Sequence, residues 1–147
     1  MSSIHASAVL VGAHAALIRG PAGAGKSQLA LALIETAVTG VLPFARLVAD
    51  DRAHVEARAG RLLVRPAPAL AGLIEVRGLG IRRLPYEPVA GVGLVGDLAA
   101  ADADRLPARE AAETAIEGVI LPRLAVAPGQ PALPLLLAFL GTQPAAI

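Results

Sequence analysis

The sequence predicts an α/β domain with helices packed on a mainly parallel or mixed sheet, and three observations predict it. Short apolar runs of strand length are interspersed with helical stretches, and a glycine-rich loop stands between one such strand and the longest helix. The length of 147 residues suits one ordinary domain spanning 1–147, long enough to bury a core and too short for two full ones.

The elements read in order as follows. Ala8 to Val11 and Ala15 to Arg19 are neighbouring strands joined by a tight link at Gly12, Ala13 and His14. Lys26 to about Val38 is a run of good helix formers ended by Gly40 and Pro43. Leu47 to Ala49 reads as a buried parallel strand that delivers two acids at its C-terminal edge. Val55 to Arg58 and Arg61 to Val64 form a hairpin through Ala59-Gly60, and Pro66 to Pro68 turn the chain away. Leu73 to Val76 is a strand, after which Gly78 and Gly80 suggest a backbone bent close to something. Two prolines make Leu84 to Ala90 a loop, and Val92 to Leu98 returns to strand. Ala108 to Gly118 reads as helix, Leu124 to Ala127 as an edge strand, and Pro131 to Leu140 as a closing buried helix.

Composition excludes several classes of function. Net charge is +1, with thirteen basic and twelve acidic residues scattered along the chain, so neither nucleic acid nor an anionic membrane is an expected partner. The absence of cysteine excludes disulfides, thiolate metal sites and a thiol nucleophile, and fits a reducing compartment. The N-terminal stretch is interrupted by His5 and serines and does not read as a secretory signal, which points to the cytoplasm. The apolar run from Leu133 to Leu140 falls far short of the ~20 residues a spanning helix needs.

The strongest motif is Gly20-Pro21-Ala22-Gly23-Ala24-Gly25-Lys26-Ser27, a full G-x-x-x-x-G-K-[ST] match placed after a strand and opening a helix. Glycines let successive backbone N–H groups converge on an anion, and the helix adds its positive end. Lys26 would reach the β- and γ-phosphates of ATP or a relative, and Ser27 would place a hydroxyl on Mg²⁺. Lys26 is also the only lysine in a chain whose other twelve basic residues are arginine. A compact ammonium nestles among phosphates where a guanidinium fork does not fit.

Asp50 and Asp51 end the next apolar strand, so one carboxylate can serve the metal while its neighbour faces an acceptor, although acidic pairs at strand ends also make turns and caps. Glu75 stands among Leu73, Ile74 and Val76, a place for a carboxylate only if it pairs with Arg77 or binds a cation. His5 and His14 flank the first strand, and a lone histidine is more often structural than catalytic. His54 carries no signal.

Taken together, His5, the loop GPAGAGKS, LVADDR at 47–52 and IEVRGLGI at 74–81 resemble the catalytic domain of bacterial HPr kinase/phosphorylase. The string from Glu75 to Ile81 is the most specific part of the match, which is clear to about Arg83 and thinner to Leu140. The resemblance implies a P-loop fold of the kind shared with PEP carboxykinase, and a serine kinase acting on the HPr phosphocarrier of the phosphotransferase system with ATP and Mg²⁺. By matching positions it places the catalytic histidine on His5, the phosphate-binding lysine on Lys26 and the proton-transfer aspartate on Asp51. Metal-binding roles fall on Ser27 and Glu75, with Asp50 beside them, and the stretch required for both family reactions includes Arg77 and Gly78. A homo-oligomer, a hexamer in the family, is implied in the same way.

The chain also departs from the family. Typical members carry an N-terminal domain ahead of this region, so the resemblance implies a short form without it. Gln28 stands where Glu is usual, and the basic loop that follows Ile81 is reduced to Arg82-Arg83-Leu-Pro-Tyr-Glu-Pro without a counterpart of its functional arginine. An arginine-bearing turn tied to dephosphorylation becomes Ala127-Pro128-Gly129-Gln130. These losses predict weakened or absent phosphorylase activity, because holding a phosphoserine beside free phosphate needs cationic donors. A P-loop kinase or hydrolase with another substrate, and a non-catalytic ATP-binding regulator, remain the alternatives.

Overall fold

Strands that are apolar at nearly every position have to bury both faces. The structure, a computed structural model covering residues 2–144, does so with one curled sheet and two helices. In chain order the elements are β1 (Ser2–Ile4), β2 (Ala6–Val11), β3 (His14–Arg19), α1 (Lys26–Val38), β4 (Ala45–Ala49), β5 (Ala53–Arg58), β6 (Arg61–Pro66), β7 (Leu73–Val76), β8 (Gly80–Arg83), β9 (Ala90–Asp97), β10 (Glu113–Ile116), β11 (Val119–Ala125) and α2 (Ala132–Gly141). Nine of these strands form the main sheet, in the order β1-β5-β6-β9-β3-β2-β4, with β11 beside the C-terminal half of β9 and β10 outside β11. Among the named strands only β3–β9 and β9–β11 pair in parallel, so the sheet is mixed rather than mainly parallel. β4 still runs the same way as β3, because β2 lies antiparallel between them, and their C-terminal ends share one edge.

The two faces are buried differently. Ala6, Ala8, Leu17, Val48, Val55, Val64 and Val95 belong to a core enclosed by the sheet itself, where β4 meets β6 and β2 meets β5 across the interior. Many alanines on this face let the two halves of the sheet close on each other. Val9, Ile18, Leu47 and Leu94 point the other way, against Leu29, Ala30 and Leu33 of α1 and Leu136 of α2. Full burial of a leucine such as Leu33 contributes roughly 1.5–3 kcal/mol. The closing helix is less buried than its composition predicts: Leu136 is fully enclosed, while Phe139 and Leu140 remain exposed on the outer face. Among the described residues no helix is long and apolar enough to cross a membrane.

Two expectations are corrected late in the chain. The stretch Ala108 to Gly118 is not a helix but a 3-10 turn at Arg109–Ala112 followed by β10. Its Ala, Arg and Glu favour helix locally, yet Glu113–Ile116 pairs with β11 and buries Ile116 with Leu121 in the inner core. The turn between the strands puts Glu117 and Gly118 both at positive φ (50 and 76), the geometry of a tight hairpin without the Asn-Gly that announces one. The edge strand expected at Leu124 to Ala127 has other bounds: it is the end of β11, which begins at Val119 and stops at Ala125, and there Leu124 and Ala125 pair with β9 alone.

The three strands that run in parallel are tied at their C-terminal ends by charge. Arg19 of β3 grips Asp97 of β9 with two bonds, 2.7 and 2.8 Å, and Arg123 of β11 reaches the same carboxylate at 2.6 Å and Asp102 at 2.8 Å. Burial pushes the Asp97 carboxyl up, but the hydrogen bonds and charges of Arg19 and Arg123 outweigh it and hold the group below the ordinary value of 3.8. A depressed carboxylate adds stability that is complete above its unfolded value and disappears as pH falls through its folded one. Asp97→Asn is therefore expected to cost on the order of 2 kcal/mol at neutral pH. In thermal unfolding followed against pH, the gap between the two proteins should shrink below about pH 4.

Candidate phosphate-binding site

β3 ends beside its antiparallel neighbour β2 at the pair Arg19–Ala6, so His5 stands next to Gly20 where the loop begins. From there Gly20 to Gly25 turn the chain into α1. Gly23 and Gly25 have φ of 82 and 99, a left-handed conformation that a side chain would strain, and the Ala24 N–H closes the bend on the Pro21 carbonyl at 3.0 Å. The first turn of α1 carries no acidic residue and no side-chain cap. Its amides are left for an anion. Lys26 folds back over the loop, its Nζ donating to the Gly20 and Pro21 carbonyls at 2.8 and 3.2 Å.

Beneath the loop lies Asp50, at the end of β4 and 5% exposed. Its carboxylate accepts from Ser27 Oγ at 2.7 and 2.9 Å, from Ser7 Oγ at 2.6 Å and from the Glu75 backbone N–H at 3.2 Å. One buried group thus joins the loop, β2, β4 and β7. The adjacent Asp51 is exposed, at the apex of a turn in which the Arg52 N–H donates to the Asp50 carbonyl at 2.8 Å. Its φ is 68, a conformation uncommon outside glycine. Backbone held this way costs about 1–3 kcal/mol and is found most often where it aims a functional group.

These parts meet in a cleft of about 580 Å³ whose walls include His5, the loop, Asp51, Glu75 and Arg77. Of the residues singled out in the sequence, Asp50 lies below this cleft, Ala24 faces away from it, and Gly78 sits outside it in the β7–β8 turn with φ 91. Glu75 is exposed, and no salt bridge to Arg77 is formed among the described residues. The β7–β8 hairpin also presents Leu79 and Ile81, 68% and 64% exposed, beside Arg77, Arg82 and Arg83. Below them Ile74 anchors the hairpin in the helix-side core.

The donor set suits Mg²⁺. Ser27 and Asp50 are already in contact and Glu75 is adjacent, all hard oxygen ligands. Among the described residues no three acidic or imidazole side chains form a cation cage.

Sequence reasoning missed Ser7. Its signal was available, since one hydroxyl in the buried run Ala6–Val11 must find a partner. Ser7→Ala is expected to lower stability by about 1–2 kcal/mol, a few degrees in the thermal midpoint, by removing one of the hydroxyls on Asp50. A midpoint unchanged in differential scanning calorimetry would show that the bond contributes nothing.

Comparison with known proteins bears on the family and the fold. The family profile described as HPr Serine kinase C-terminal domain matches residues 1–85. The HPr kinase/phosphorylase of Limosilactobacillus reuteri is 35% identical over 136 residues, 84% of this chain and 40% of that protein. The HPr kinase/phosphorylase of Lactobacillus delbrueckii subsp. bulgaricus is 37% identical over 97 residues, 65% of this chain and 28% of that protein. The chain thus spans less than half the length of these curated relatives. The solved Hpr(Ser) kinase/phosphatase from Coxiella burnetii superimposes with a TM-score of 0.75 at 23% identity, covering 96% of this chain and 95% of that one, which shows a shared fold.

Proposed function

This chain belongs to the HPr serine kinase C-terminal domain family, and from that premise we propose that it is an ATP-dependent kinase for a serine of an HPr-like phosphocarrier. The observation that carries the reading is Asp51, held at positive φ on the same cleft as the loop and Lys26. A binding module has no use for a strained carboxylate facing its phosphates. Asp51 takes the proton of the acceptor serine as that oxygen attacks the γ-phosphorus. The bond from phosphorus to the β-phosphate oxygen breaks, and ADP leaves. Lys26 exchanges the loop carbonyls for β- and γ-phosphate oxygens, and the amides of the loop and α1 hold the remaining charge. Ser27, Asp50 and Glu75 would hold Mg²⁺, which neutralises phosphate charge. His5, as the family's catalytic histidine, completes the wall beside Gly20. The exposed Leu79 and Ile81, flanked by arginines, supply a surface for a protein acceptor at the rim. A cytoplasmic location and a hexameric assembly belong to the same reading.

The reverse phosphorolysis is weak or absent in this proposal, because the turn Ala127–Gln130 carries no cation and lies on the far side of the loop from Asp51. Labelled ATP and an HPr-like protein, with its serine-substituted form as control, test the kinase. Label on the control, or tight ATP binding without transfer to any acceptor, overturns it. Brisk pyrophosphate release from phospho-HPr and phosphate overturns the one-way reading.

A further inference from the structure

The first residue of the phosphate loop rests on the end of β9. Gly20 lies so close to Leu98 that a Cβ on it would stand 3.0 Å from the Leu98 Cβ and 3.2 Å from the Leu98 carbonyl oxygen. The Gly20 carbonyl in turn accepts from Lys26 Nζ at 2.8 Å. Whatever fixes Leu98 against the end of β3 therefore fixes where the loop starts and where its ammonium rests.

Two contacts do so. The Leu98 N–H donates to the Arg19 carbonyl at 2.9 Å, which carries the β3–β9 pairing up to the residue before the loop. One step back, Arg19 and Asp97 are partners in the strand register, and their side chains close the two-bonded ion pair that Arg123 joins from β11. The Asp97 carbonyl also accepts from the Val126 N–H at 2.8 Å, so the chain after β11 braces the same joint. Neither Arg19 nor Asp97 lines the cleft in front of the loop. Nor does either line a second cleft of about 540 Å³ between the loop and the start of α2, whose lining side chains carry no charge.

We infer that Arg19 and Asp97 are positioning residues: their ion pair holds Leu98 against Gly20 and so keeps the loop in its phosphate-binding geometry without touching the ligand. The inference rests on reading Gly20–Ser27 as a phosphate site. Successive amides bind an anion only while their N–H groups converge, and a glycine-rich segment has little stiffness of its own. The sheet edge behind it supplies that stiffness. A role in stability alone would leave the affinity of folded protein unchanged, whereas a role in positioning alters it.

Equilibrium titration with inorganic tripolyphosphate and Mg²⁺ at neutral pH, well below the thermal midpoint, tests this, since that ligand meets the loop and needs no acceptor. Asp97→Asn is the deciding variant, because charge and position predict opposite signs. Removing a carboxylate leaves the surroundings of the loop more positive, so Coulomb attraction alone makes a polyphosphate bind more tightly. If the pair positions the loop, affinity instead falls about tenfold. Arg19→Met should weaken binding to a similar degree, and Arg19→Lys, which keeps the charge but not the fork, should bring the loss back to about threefold. Combining Arg19→Met with Asp97→Asn should add less than about twofold to either alone, because both act through one contact. Arg65→Met removes a different ion pair, with Glu56 on the β5–β6 hairpin, and should stay within about twofold of the parent protein. Affinity in Asp97→Asn equal to or above that of the parent overturns the inference, and so does a loss in Arg65→Met as large as the loss in Asp97→Asn. A parent protein that does not bind tripolyphosphate removes the phosphate-site reading and the inference with it. A parent that binds it, with Asp97→Asn unweakened, removes the inference alone.

Discussion

Lys26→Ala is expected to reduce transfer from ATP to an HPr-like acceptor by about a thousandfold while the protein stays folded, the scale of losing one preorganised donor at developing charge. The lysine is partly exposed and bonds only to the loop's own carbonyls, so its removal opens no cavity in either core. Far-UV circular dichroism and the thermal midpoint should barely change. Lys26→Arg should restore little, because a planar guanidinium fork does not reproduce the compact ammonium that donates to the Gly20 and Pro21 carbonyls. Transfer by Lys26→Ala within a few-fold of the parent protein would remove the ammonium from the mechanism.

Asp51→Asn is expected to lower kcat by about 10²–10⁴ with little change in the KM for ATP, the pattern of a lost proton acceptor rather than lost binding. Asparagine is the informative replacement because it tolerates the left-handed conformation that Asp51 adopts at φ 68, so the turn survives. Alanine there would add backbone strain and mix two effects. A KM that rises as kcat holds would instead assign Asp51 to binding. At Asp50 the same substitution disturbs packing and the proposed Mg²⁺ donor together, since that carboxylate is buried under three converging donors.

Much of the fold was legible because its signals are local. The loop, the extent of α1, β7 and the β5–β6 hairpin follow from glycine placement, helix propensity and alternation within short windows, and the structure has them where the sequence puts them. β10 was misread for a related reason. Residues 108–118 are good helix formers, and the partner that makes a strand of Glu113–Ile116 is β11, whose pull propensity does not record. Of the two sheets the sequence allowed, mainly parallel or mixed, the structure has the mixed one. Strand direction could be inferred from where the acids had to arrive, but not that β2 would lie antiparallel between β3 and β4.

By itself the sequence singled out the glycine-rich loop with its lysine and hydroxyl, and the carboxylates at 50, 51 and 75, as the residues to examine, because short local patterns mark each of them. The tertiary structure alone decided that Ser7 and Ser27 converge on Asp50, that Arg19 and Arg123 converge on Asp97, and that the loop opens onto two clefts of opposite character. Each of those depends on the register of strands far apart in the chain. Register is set by which faces can be buried together, a property of the assembled sheet and not of any short stretch of residues.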